Sequence, residues 1–321
     1  MTSSSLQVRV SRKQAEAIDI CTVELAAVDG ARLPAFSAGS HIDVELPGGL
    51  TRQYSLCNNP SESHRYLIGV LKDPSSRGGS RAVHEALQVG DLVRISAPKN
   101  HFALAHDATH HLLLAGGIGV TPILCMAERL AMLGASFEMH YCTRSAERTA
   151  FRQRIAAAPF ADRVHFHVDD GEAAQKLDLQ ALLAVPRAGT HVYVCGPQGF
   201  MDAVLGTARG AGWPDAGLHY EFFSAQVPTS ADDDTFQVKL ASSGAVVTVG
   251  AKQTVVQALA AAGVEVATSC EQGVCGTCLT RVLEGIPDHR DMYLLPEEQA
   301  RNDQFLPCCS RARSALLVLD L

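Results

Sequence analysis

The stretch Ser269–Arg281, "SCEQGVCGTCLTR", crowds three cysteines into nine residues with glycines between them. Two more follow at Cys308 and Cys309. Cys270, Cys275 and Cys278 form C-x4-C-x2-C, and Cys308 comes after 29 intervening residues. A chain rarely gathers thiols at such regular intervals for packing alone, and the intervals select the chemistry.

Four thiolates at these spacings are the ligand set of a plant-type [2Fe-2S] loop. Gly273 and Gly276 let the main chain curl tightly enough for its N–H groups to reach sulfur. A C-x2-C pair with a distant thiol pair also suits tetrahedral zinc. In that reading, however, Cys270 has no role and everything upstream is unexplained. Cys309 competes with Cys308 as fourth ligand, and the spacing favours Cys308. Cys21, Cys57, Cys125 and Cys142 stand alone on apolar segments and read as small core residues.

At 321 residues the chain has room for two or three domains. Apolar content of 47% and charged content of 19% are ordinary for a globular protein, and no window approaches a membrane span. The start, "MTSSSLQVRV", lacks the pattern of a secretory signal, so reducing cytoplasm is the expected setting for ten cysteines. Net charge is -7, and residues 229–321 hold 12 acidic and 7 basic side chains, a balance of -5. Nucleic acid is therefore not an expected partner. The acidic C-terminal module suits docking to a basic protein patch, or is simply a solvated surface.

Three segments follow in order. Short alternating runs such as "LQVRV", "CTVELAAV", "HIDVEL", "RQYSLC", "YLIGVL" and "LVRIS" predict an antiparallel barrel over 1–103. "HHLLLAGG", "FEMHYC", "VHFHV" and "HVYVCG" alternate with helical patterns and predict an open parallel α/β sheet over 104–225. His110 and His111 are expected at the exposed start of the first of these strands. A Pro-, Ser- and Asp-rich stretch reads as a linker at 226–235, and a small module with the cysteine loop fills 236–321. His289, in "PDHRDMYL", is assigned to loop packing.

The second segment holds a glycine turn between strand and helix, with Gly116, Gly117, Gly119, Thr121 and Pro122. Such a turn lets backbone approach a pyrophosphate at a helix N-terminus. Pro122 replaces the third glycine of the full dinucleotide fingerprint. Cys195, Gly196 and Pro197 close a later strand at the same expected edge. In the barrel, Arg52, Gln53, Tyr54 and Ser55 offer a phosphate clamp, a planar ring and a hydroxyl, while Gly78, Gly79 and Ser80 precede a helix as a second candidate phosphate cradle.

Taken in order, "RQYS", "GGS", "GGIGVTPI", "CGP", "EFFS" and the four-cysteine loop resemble the phthalate dioxygenase reductase family, which includes vanillate demethylase reductases. The resemblance spans Leu6 to Leu321. It implies a multidomain fold: a ferredoxin reductase-type antiparallel β-barrel for FMN, an α/β parallel-sheet domain for NAD, and an α+β β-grasp ferredoxin domain.

By resemblance, Arg52 and Ser80 hold the FMN phosphate with Gly78 and Gly79. Tyr54 and Ser55 line the flavin ring, with Ser55 near N5. Gly69, Val70 and Leu71 run along the flavin, Thr121 touches it, and Phe223 covers the ring where nicotinamide enters. Gly116, Gly117, Gly119, Pro122, Arg144, Cys195, Gly196 and Pro197 are the expected NAD contacts. Asp169 and Asp170 discourage a 2′-phosphate, Arg144 and Ser145 welcome one, and NADH is the expected donor.

The implied activity passes a hydride from NADH to FMN and single electrons through Cys270, Cys275, Cys278 and Cys308 to a Rieske-type terminal oxygenase acting on an aromatic acid or ether. No side-chain acid, base or nucleophile is demanded, because the cofactors carry the chemistry. The protein is expected to be a monomer. The alternatives are the same relay feeding another monooxygenase, such as one acting on a quaternary amine, and a redox sensor without turnover.

Overall fold

The computed structural model describes residues 5–74, 76, 78–223 and 233–321. They divide into two compact units, Met1–Phe223 and Ser224–Leu321. Most of the expected linker at 226–235 lies outside the described residues. Among those described, no helix is long and apolar enough to cross a membrane.

The first unit contains two sheets. Its N-terminal sheet comprises β1 (Leu6–Ala17), β2 (Ile20–Ala27), β3 (Ser40–Leu46), β4 (Leu50–Ser55), β5 (Tyr66–Leu71), β6 (Leu92–Ile95) and β7 (Lys99–Asn100). The strand order is β4-β3-β6-β1-β2-β5, with β7 on β3. A bridge between Leu56 and Ile68 joins the two ends of that order and closes the barrel. The period-two pattern drives this closure: Val8 and Val10 are fully buried, and Arg9 between them faces solvent. Ile42, Leu56, Tyr66 and Ile68 complete the interior.

The second sheet is parallel: β8 (His110–Gly116), β9 (Phe137–Thr143), β10 (Val164–Val168), β11 (Thr190–Cys195) and β12 (Leu218–Glu221), in the order β10-β9-β8-β11-β12. The order reverses between β8 and β11, so the ligand crevice of such a sheet is expected outside their carboxyl ends. The helix Val120–Met132 packs Ile123 and Leu124 into a core with Leu113, Met139, Tyr141 and Tyr193. His111 departs from expectation. It is 5% exposed, because residue 111 faces this packed side of a central strand, with its ring 5.7 Å from that of Tyr193. His110 stays half-buried, with Nδ1 2.8 Å from Ser136 Oγ.

The second unit is built on β13 (Phe236–Leu240), β14 (Val246–Val249), β15 (Thr280–Glu284), β16 (Pro287–Asp288), β17 (Gln304–Phe305), β18 (Arg311–Ala312) and β19 (Leu316–Leu319). The main order is β14-β13-β19-β15-β17, with β13 and β19 parallel, and β16 pairs with β18. The helix Val255–Ala261 starts at a capping box, where Thr254 and Gln257 satisfy each other's backbone N–H. It buries Val255 and Leu259 against Val238, Phe305 and Leu317. The cysteine loop runs between this helix and β15.

Candidate functional site

Two glycine turns meet at the strand-order reversal. β8 ends at Gly116, Gly117 takes φ +52°, and the helix begins at Val120 with Pro122 in its first turn. A Cβ on Gly119 would strike the Cys195 carbonyl and lie 2.6 Å from Gly196 N. One on Gly196 would lie 2.9 Å from Gly116 Cα. Only glycine permits these turns to pack together, and the packing places Gly116, Gly117, Gly119, Cys195, Gly196 and Pro197 on one edge.

The barrel reaches the same edge through β5. A Cβ on Gly69 would be 2.9 Å from Thr121 Cγ2, so the missing side chain is what lets the strand approach the turn. Arg52 lies across Gly79, where a Cβ would be 2.7 Å from its Cγ and 2.9 Å from its Nε. Gly78 stands in the left-handed region at φ +96°, and Ser80 Oγ accepts from Asp73 N–H at 3.1 Å. The fit to a phosphate rests on this guanidinium laid over bare backbone. Gln53 alternates to the other side of β4 and hydrogen-bonds Asp43. Phe222 is buried, whereas Phe223 is exposed.

Two groups enter that the sequence did not single out. Ser55 Oγ donates to Glu221 Oε2 at 3.3 Å, joining the barrel to β12. Glu221 Oε1 lies 3.9 Å from Nδ1 of His41, the register partner of Ser55. Burial pushes the Glu221 carboxyl up to about 7 against the pull of Ser55, and burial also lowers His41 to about 4. Both ring nitrogens of His41 are buried without a hydrogen-bond partner. Beside them, burial and then Glu221 raise the thiol of Cys195, the register partner of Glu221 on β11. Nothing in "HIDVEL" or "LHYEFFS" signals this meeting, because it depends on how the two sheets face each other.

At the carboxyl ends of β9 and β10, Arg144 sits beside Asp169 and Asp170, all three exposed. Asp169 N–H donates to Thr143 O at 2.9 Å and Asp170 N–H to Arg144 O at 3.3 Å. A cation and two carboxylates thus occupy one rim.

In the second unit all five loop cysteines are buried. Cys270 makes side-chain contacts with both Cys275 and Cys308. Among the described residues no three His, Cys, Asp or Glu side chains are closed round a single ion-sized point. The surroundings nevertheless fit thiolate ligands. Gln272 N–H points at Cys270 Sγ (3.3 Å) and Thr277 N–H at Cys275 Sγ (3.5 Å). Gly273 and Gly276 take φ +73° and +69°, and a Cβ on Gly276 would enter the Tyr293 ring. Cys309 Sγ is turned toward Gly273, 3.6 Å from Leu306 O. The segment containing His289 packs over the loop, with Met292 N–H donating to Gly273 O at 3.0 Å and His289 Nδ1 3.6 Å from Asp291 Oδ1.

A barrel and a switch-point sheet in one unit, with a four-thiol ferredoxin loop in the other, define an electron-transfer oxidoreductase of modular build. Residues 238–313 match the 2Fe-2S iron-sulfur cluster binding domain family, and residues 95–218 match the N-terminal domain of the dimethylamine monooxygenase subunit DmmA-like family. The sequence is 56% identical to a vanillate O-demethylase oxidoreductase of Pseudomonas sp. strain HR199, covering 98% of this chain and 100% of that one. It is 41% identical to a phthalate 4,5-dioxygenase reductase subunit of Pseudomonas putida, over 98% and 96%. The solved structure of phthalate dioxygenase reductase, described as a modular structure for electron transfer from pyridine nucleotides to [2Fe-2S], matches with TM-score 0.79 and 38% identity over 99% and 98%. The chain belongs to the phthalate dioxygenase reductase family, alongside the vanillate O-demethylase reductases.

Proposed function

We propose that this chain is the NADH-dependent reductase of a Rieske-type oxygenase that acts on an aromatic acid or ether, most closely an O-demethylase. The observation that carries the reading is end-to-end similarity to a vanillate O-demethylase oxidoreductase, combined with a four-thiol loop following a switch-point glycine turn in one chain.

Arg52, Gly78, Gly79 and Ser80 would hold the phosphate of FMN, and Tyr54, Ser55, Gly69, Val70, Leu71 and Thr121 its ring, under Phe223. Gly116, Gly117, Gly119, Pro122, Cys195, Gly196 and Pro197 would take the nicotinamide nucleotide, with Arg144 and Asp170 at its adenosine end. Bound FMN would supply hydride acceptance and the release of electrons singly to a cluster held by Cys270, Cys275, Cys278 and Cys308. Oxidation of NADH by one-electron acceptors leaves one proton behind per molecule. Ser55 and Glu221 are placed to handle it: Glu221 Oε2 accepts from Ser55 Oγ, and a carboxyl held at about 7 changes protonation state near neutrality.

The test is reconstitution with a Rieske O-demethylase oxygenase and vanillate. NADH consumption should be coupled to demethylated product, and product formation should cease in Cys308→Ser. A reductase that NADH reduces but that fails to reduce any aromatic-ring oxygenase would refute the partner assignment. The match over 95–218 to a dimethylamine monooxygenase family favours one alternative, the same relay serving an amine monooxygenase.

A further inference from the structure

Phe151 stands in the left-handed backbone region, at φ +59° and ψ +16°. Four described residues other than glycine take a positive φ, and beside Asp19, Glu271 and Asn302 it is the one apolar member. Glycine, asparagine and aspartate enter this region cheaply, whereas a bulky ring does not. Phe151 also precedes the helix Arg152–Ala156 without a side-chain cap, where asparagine or glycine would serve the backbone better. A phenylalanine in this conformation needs surroundings that enforce it, and its ring must do something there that a smaller residue would not.

The enforcement comes from the barrel. Phe151 N–H donates to Glu16 Oε1 on β1 at 2.8 Å. The same segment grips the turn between β1 and β2: Ile18 N–H donates to Glu147 O at 3.0 Å, and Arg148 Nη1 lies 2.9 Å from Asp19 Oδ2. Thr149 Oγ1 braces the segment from within, donating to Ser145 O at 3.0 Å and lying 2.7 Å from Thr143 Oγ1.

What the ring does follows from what it meets. It is 2% exposed, and the Arg154 guanidinium, anchored to Glu128, lies 5.9 Å from its centroid. At its tip is Gly69, where a Cβ would be 3.2 Å from Phe151 Cζ and 2.9 Å from Thr121 Cγ2. Gly69 belongs to the candidate flavin strand β5, and Thr121 to the candidate nicotinamide turn. The ring tip therefore stands where those two elements converge, and a shorter side chain would leave a gap beneath β5. Spacing matters at such a place, because a misplacement of about 1 Å can cost about 100-fold in rate.

We propose that Phe151 is a positioning residue for hydride transfer: clamped by Glu16, its ring sets how closely β5 approaches the glycine turn, and so the gap between flavin and nicotinamide. It acts through Gly69 and Thr121. The inference rests on the reductase reading given above.

The test uses the full-length holoprotein. Phe151→Ala is mixed anaerobically with NADH in a stopped-flow instrument, which separates the limiting rate of flavin bleaching from the NADH concentration at half-saturation. Dithionite-reduced protein is also titrated with NAD, and the long-wavelength absorbance of stacked nicotinamide and flavin is read without turnover. The limiting rate should fall at least about tenfold, half-saturation should stay within about twofold, and the long-wavelength band should weaken. Phe160→Ala is the control, because Phe160 belongs to the same core but packs on Phe137 at the other end of β9. It should lower the unfolding midpoint, followed by Trp213 fluorescence, and keep both rate and band. Glu16→Ala leaves the ring in place and removes only the acceptor for its backbone, so it should fold and slow bleaching by about threefold. Should Phe151→Ala shed its FMN, Glu16→Ala decides alone. Wild-type rate and band in the deciding variant, or an equal loss in Phe160→Ala, overturns the positioning role and leaves the reductase reading intact. Wild-type flavin that NADH cannot bleach refutes that reading and this one with it.

Discussion

Glu221 gives the sharpest physical prediction, because burial moves its carboxyl from 4.5 to about 7. An acid with a raised folded pKa holds its proton more tightly when folded. Its contribution to stability is therefore fully present below about pH 4.5 and is lost as pH rises through 7. A shift of this size corresponds to about 3 kcal/mol in all, of which about 2.5 kcal/mol falls between pH 5 and pH 8. Glu221→Gln keeps the shape and a hydrogen-bond acceptor for Ser55 but cannot ionise, so it should remove that component. Urea unfolding of the intact protein, read by fluorescence, measures it. Trp213 is the only tryptophan, buried in the same unit with Nε1 donating to Leu183 O at 2.9 Å. His41 loses stability in the opposite sense as pH falls from 6.5 toward 4, but it does so in both proteins and largely cancels. Wild type should lose about 2.5 kcal/mol more than Glu221→Gln between pH 5 and pH 8. Parallel pH profiles would refute a buried, proton-holding Glu221.

Other outcomes follow from contacts at single atoms. Gly79→Ala puts a methyl against Arg52 Cγ and should weaken FMN retention by about tenfold with little change in unfolding midpoint, measured by flavin fluorescence on dilution. Cys308→Ser should lose bound iron and the iron–sulfur absorbance, while Cys309→Ser keeps both; the reverse result transfers the fourth ligand to Cys309. Gly276→Ala forces an L-residue into φ +69° and a methyl into the Tyr293 ring, at a cost of about 1–3 kcal/mol. Its cluster should bleach faster in air than wild type, in a timed absorbance assay.

Much of the fold is local and was therefore legible. "HHLLLAGGIGVTPILCM" announces β8, its glycine turn and the helix from Val120, because an apolar run, φ-permissive residues and a proline at the helix start all act over a few residues. "TVVQ" contains its own capping box. The cysteine spacing is likewise written in sequence distance. What stayed hidden depends on tertiary pairing. His41 and Ser55 are neighbours through strand register, and Glu221 reaches Ser55 across two sheets separated by 166 positions. His111 is buried because β8 is a central strand, which residue pattern alone does not reveal. Phe151 meets Gly69 only because the loop after β9 packs on the barrel, which no local pattern encodes.

The central claim is a relay that accepts electron pairs at one end and dispenses them individually at the other, and one anaerobic visible spectrum before and after NADH tests it most directly. Flavin and iron–sulfur absorbance should be present together and bleach together in wild type, with only the flavin band bleaching in Cys308→Ser. Protein that stays colourless after reconstitution with iron, sulfide and FMN, or a bound flavin that NADH leaves oxidised, would contradict the account.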